Sequence, residues 1–119
     1  MGFARTYLEM GMVDEAFGAL TEAARAPAYR FEAGSMLGQM YQKKGDLAQA
    51  AEWLERAAEA PAPTAAEGRE LLYDLGAILE TVGETARALA VFLELQAEAG
   101  EYRDVVARVE RLARVQTGG

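Results

Sequence analysis

Large apolar and small residues recur along this chain at the three-to-four-residue spacing of amphipathic helices, and no segment keeps the strict alternation of a half-buried strand. In its middle third Leu37, Gly38 and Tyr41 form one such series, Ala50, Leu54 and Ala57 a second, and Gly45 separates them. Read this way throughout, the pattern predicts helices over 2–10, 13–26, 28–44, 47–60, 65–82, 85–99 and 101–116, and no sheet. Pro27, Pro61 and Pro63 all fall between helical stretches, where a missing amide proton does no harm. Gly11, Gly45 and Gly83 stand where a helix should stop in a left-handed cap. Asp46 with Gln49, and Thr64 with Glu67, supply side-chain oxygens to cap the amides of the helices that follow.

The series recurs in register. Phe3, Ala4, Tyr7, Gly11, Ala16, Leu20 and Ala23 match Leu37, Gly38, Tyr41, Gly45, Ala50, Leu54 and Ala57, and again Leu75, Gly76, Leu79, Gly83, Ala88, Phe92 and Leu95. The first two copies are 34 residues apart and the next two 38, so a four-residue insertion precedes the third. A fixed period of this length marks stacked helix pairs. Small residues at 4, 38 and 76, facing small residues at 16, 50 and 88, let the two helices of a pair approach closely. The insertion, around Pro61-Ala62-Pro63-Thr64, lengthens a loop or adds a helical turn, and serves as a spacer rather than a recognition loop.

These seven positions resemble the tetratricopeptide repeat over residues 1–100, with Leu79 standing where an aromatic is usual and the first copy starting inside its pattern. The resemblance implies an all-α, right-handed α-solenoid: a single domain over 1–119 with repeats at 1–27, 28–62 and 65–100 and a C-terminal capping helix at 101–116. Tyr102, Val105, Val106, Val109, Leu112 and Ala113 form one apolar stripe on that last helix, which either closes the stack or opens a fourth unit. The abrupt start suggests a fragment of a longer repeat protein, with Met1 as an initiator and Gly118-Gly119 as a frayed end. Bared apolar residues such as Phe3, Tyr7 and Met10 would then fray or pair with another copy, a route to a homo-oligomer.

Composition narrows the chemistry. The chain has no cysteine and no histidine, so disulfides, thiolate metal sites and the commonest general base are absent. Glu70 and Asp74 share a helix face but no further oxygen ligand is placed near them, and no cofactor, metal or catalytic set is expected. A formal net charge of −7 argues against nucleic acid. No apolar run reaches the length of a membrane span and no signal peptide opens the chain, which predicts a soluble, cytoplasmic protein without membrane insertion.

The family resemblance implies that the first helix of each unit lines a concave face. Helical spacing then aligns Glu32, Ser35, Gln39 and Gln42, and in the third unit Glu70, Tyr73, Ala77 and Glu80; Arg5 and Leu8 join from the first unit, with Met36, Lys43, Asp74 and Thr81 alongside. Chaperone-tail-binding members of the family clamp a carboxylate with Lys and Asn at such positions, and Ser35, Gln39, Tyr73 and Ala77 replace that clamp here. The groove predicts a peptide or protein partner presenting apolar groups and a basic residue, with Tyr73 as anchor and Glu70, Asp74 or Glu80 as charge partners. Trp53, matched by Ala19 and Val91 in the other copies, is expected to pack on a second-helix surface, and Met10, Met12, Met36 and Met40 to fill gaps between the first two units. The chain thus reads as a non-catalytic interaction module or scaffold, or alternatively as a self-associating spacer within a longer repeat protein. Its bacterial-looking composition, and a tail over 101–108 similar to endings of long tetratricopeptide proteins, suggest a pilus, secretion or surface-motility assembly, with a small GTPase or polar assembly protein as a conceivable partner.

Overall fold

A computed structural model describes residues 2–117; the expectations for Met1 and for Gly118-Gly119 lie outside the described residues. Among the described residues there are seven α-helices and no strand: α1 (Gly2–Glu9), α2 (Val13–Ala23), α3 (Arg30–Lys44), α4 (Leu47–Ala58), α5 (Ala65–Thr81), α6 (Thr85–Ala99) and α7 (Val105–Gln116), with a 3-10 turn at Pro27–Tyr29. The all-α class read from the sequence is the class observed. The chain divides into two compact units, residues 1–63 and 64–119.

In the first unit α1 pairs with α2, α2 with α3, and α3 with α4. Ala4, Leu20, Ala24, Ala33 and Leu37 form a buried cluster, against which Phe17, Met36, Met40, Tyr41 and Trp53 pack. Small residues make the α3–α4 contact close. A Cβ on Gly38 would overlap the Leu54 side chain, and one on Gly34 would meet Ala57 Cβ at 2.9 Å. The Phe17 and Tyr41 rings meet at 4.8 Å between centroids, which ties α2 to α3.

The second unit repeats the arrangement with α5 and α6, then adds α7 against α6. Gly76 leaves room for the Phe92 ring, whose Cζ would lie 2.7 Å from an added Cβ. Leu75, Ile78, Leu79, Phe92, Leu95, Val105 and Leu112 are buried together with Leu71 and Leu72.

Local signals account for the helix ends. Gly11, Gly45 and Gly83 have φ of 75°, 88° and 85°. Each closes the same pair of bonds: the Gly45 amide donates to Gln42 O and the Asp46 amide to Tyr41 O, with matching bonds at Gly11–Met12 and Gly83–Glu84. The Gln49 amide donates to Asp46 Oδ1 at 3.2 Å and the Glu67 amide to Thr64 Oγ1 at 3.1 Å, so both expected caps are made. The inserted residues go mostly into helix: α5 begins ten residues before Leu75, whereas α3 begins seven before the equivalent Leu37.

Two boundaries differ from expectation. Residues 24–29 leave the helix at the end of α2 and form a short 3-10 turn at Pro27, whose ring cannot continue the preceding hydrogen-bond ladder. The last helix starts at Val105 and not at 101, because Arg103 adopts a left-handed φ of 47° and turns the chain first.

Candidate functional site

The first-helix stripes differ between the two units. In the first, Leu37, Gly38, Ala33 and Gly34 of α3 are buried, while Gln39, Gln42 and Lys43 towards its C-terminal end are exposed. The side chains of these three residues make no hydrogen bond or ion pair among the described residues. Ser35 is half-buried, its hydroxyl turned back onto Phe31 O at 2.7 Å, and Met36 packs on the core. From α1, Leu8 is half-buried, while Arg5 reaches Glu32 with Nη2 2.6 Å from Oε1. This ion pair links α1 to α3, but both side chains are largely solvated and it adds little stability.

In the second unit the stripe is already engaged. The Tyr73 hydroxyl donates to Asp104 Oδ1 at 2.5 Å, and its ring meets Phe92 and Tyr102 edge-on at 5.9 and 6.1 Å. The guanidinium groups of Arg103 and Arg108 lie 4.8 and 5.2 Å from the same ring. Arg108 Nη1 donates to Glu80 Oε1 at 2.9 Å while Arg111 takes Glu80 Oε2, so both carboxylate oxygens are occupied. Tyr73 was expected as a free anchor and Glu80 as an available charge partner; α7 and the turn before it hold both. Glu70 and Thr81 are exposed, and Asp74 and Ala77 half-buried.

The electrostatics follow from this arrangement. The hydrogen bond to Asp104, followed by desolvation, raises the Tyr73 hydroxyl above its ordinary pKa. The same bond holds the Asp104 carboxyl below the usual carboxylate range, assisted by Arg108. For Arg108, partial burial pulls downward, but the surrounding Asp104, Tyr73 and Glu80 outweigh it and raise its pKa. Asp74 moves up because it is desolvated and sits beside Glu70, with Arg103 opposing.

Among the described residues no group of three or more acidic, His or Cys side chains could hold a metal ion, and no helix is long and apolar enough to cross a membrane. The sequence missed a second surface in the first unit. Trp53 packs against the core as expected, yet its outer face borders a cleft where arginines from three segments meet. Only the lone tryptophan hinted at it.

Residues 35–62, within the second of the three copies, match the tetratricopeptide repeat family. No curated protein matches the chain. Repeats of this family generally mediate protein–protein interaction and are typically non-catalytic.

Proposed function

We propose that this chain, carrying a tetratricopeptide repeat, is a non-catalytic protein-binding module whose partner lies along the exposed stripe of α3. The observation that carries the reading is the contrast between the units: Gln39, Gln42 and Lys43 stand exposed without side-chain partners, whereas Tyr73 and Glu80 are held by α7 and the turn before it. Arg5 and Leu8 on α1, with Ser35 and Met36 at the inner margin, complete the first unit's contribution. In the second unit Glu70, Asp74 and Ala77 remain for a further contact, with the carboxylates suited to a basic group. Exposed amides are adaptable hydrogen-bonding groups, appropriate to an extended peptide or a folded surface recognised by shape. We further propose a bacterial pilus, secretion or motility scaffold as the setting, a reading that rests on the resemblance noted for residues 101–108.

The test is affinity capture from the source cell, followed by titration of the captured protein against the purified chain. The combination of Gln39→Ala, Gln42→Ala and Lys43→Glu is expected to weaken that titration about tenfold or more. Unchanged affinity removes the α3 stripe as the contact.

A second reading has its own observation. Phe3 is 78% exposed and Met10 66%, with Val13 also exposed nearby in sequence, an apolar set suited to self-association as a spacer. Sedimentation equilibrium decides: a mass that stays monomeric across a hundredfold concentration range excludes it.

A further inference from the structure

Two adjoining hollows in the first unit, of about 240 and 370 Å³, share Ala24, Arg30, Trp53 and Arg56 as their walls. Gly34 and Glu59 complete the lining of the first, Thr21 and Arg25 that of the second. Arg30 is fixed in place, with Nε 3.4 Å from Ala24 O and Nη2 3.4 Å from Arg25 O, carbonyls just past the end of α2. The Arg56 guanidinium lies over the Trp53 ring at 4.6 Å, which orients its N–H edge while the indole braces its face. Arg25 is held only by a long, solvated contact to Glu22 at 3.5 Å. Three guanidinium groups thus gather around one indole in a chain whose net charge is −7, with Glu59 the one carboxylate lining the hollows and Glu22 in long contact with Arg25.

Helix pairing does not require this set. At the equivalent positions the third copy has Val91 for Trp53, Glu94 for Arg56 and Gly68 for Arg30, and the first has Ala19 and Glu22 for Trp53 and Arg56. The packing residues recur in all three copies; Arg30, Trp53 and Arg56 do not.

We propose that this cleft binds an acidic segment of a partner protein, with a carboxylate in the fork of Arg25 and Arg56 and a neighbouring aromatic side chain against the part of Trp53 that lines the hollows and that Arg56 leaves uncovered. Guanidinium groups match carboxylates in planar geometry, and an indole beside them takes an apolar or aromatic neighbour. The space admits one or two side chains, as for a short linear segment. A polyanion such as nucleic acid would meet the acidic remainder of the chain, whereas a peptide with a few carboxylates need touch only the cleft. None of the α3 stripe residues Gln39, Gln42 and Lys43 lines it, so the inference stands apart from the function proposed above.

Trp53 is the chain's only tryptophan, so its fluorescence reports on the cleft directly. The probes are a capped hexapeptide alternating acidic residues with phenylalanine and a twin with carboxamides in place of every carboxylate. The acidic peptide is expected to change the emission saturably, and the twin to bind about tenfold more weakly or less. Arg25→Gln combined with Arg56→Gln should weaken the acidic peptide by about the same factor at unchanged helicity, and the stripe variant should not. Arg56→Glu, which reproduces the residue at position 94, serves if the double variant loses helicity. The proposal is overturned if the acidic peptide gives no saturable change, if the twin binds equally, or if the arginine variants bind as the parent does. It also fails if a single-stranded oligonucleotide binds more tightly than the peptide, or if emission changes with protein concentration alone, which would place a second copy in the cleft.

Discussion

The Tyr73 hydroxyl and ring do separate things, and Tyr73→Phe parts them. The ring's contacts with Phe92 and Tyr102 survive, while the bond to Asp104 is lost, at a cost of about 1 kcal/mol measured by urea unfolding at neutral pH. Because the folded pKa of Asp104 is depressed, its ionised form stabilises the fold above the ordinary carboxylate range, and that contribution disappears as pH falls through the folded value. The difference between parent and variant should therefore shrink on acidification. Asp74 has the opposite sign: its raised pKa means ionisation costs stability as pH rises through the folded value. Asp74→Asn should raise the thermal midpoint at pH 7 by about 2 °C and have no effect in acid. A lower midpoint at pH 7 would show that Arg103 compensates the carboxylate more than burial penalises it.

The elements divide into ends set locally and contacts set by distant residues. Both side-chain caps and the three glycine turns were legible, since each is completed within five residues: Thr64 meets the Glu67 amide, and Gly45 and Asp46 close onto Gln42 and Tyr41. Removing the cap with Thr64→Ala should cost about 1 kcal/mol in unfolding free energy. The buried stripe of α7 was legible too, from its period, and its Leu112 is 3% exposed; Leu112→Ala should cost about 3 kcal/mol and loosen the second unit. What α7 does with its other face was not legible. Arg108 finds Glu80 across 28 residues and Asp104 finds Tyr73 across 31, and no local rule says which carboxylate an exposed-looking arginine will choose. The start of α7 was misplaced for a related reason, as nothing in Glu-Tyr-Arg-Asp announces that Arg103 will take a left-handed φ. The Arg25, Arg30 and Arg56 cluster was hidden similarly, its members being unremarkable within their own helical periods.

At the scale of the whole molecule, the four-residue shift in the repeat period coincides with the division into units at residues 63 and 64. Pro61 and Pro63 have no amide proton, and the amides of Ala62 and Thr64 have no backbone acceptor among the described residues. Hydrogen exchange is expected to show a fast window over 61–64 between slowly exchanging interiors of α4 and α5. Slow exchange at Ala62 and Thr64 would mean that these amides are sheltered by contacts beyond backbone hydrogen bonding. Each pair, α1–α2, α3–α4 and α5–α6, reverses direction at a glycine with positive φ and open space around it. The sense of these reversals is thus written in the one amino acid that has no handedness. A mirror-image residue prefers the backbone region that its natural counterpart avoids, so D-alanine at position 45, introduced by chemical synthesis, should fit the turn and narrow the unfolded chain's freedom, whereas L-alanine there should strain it.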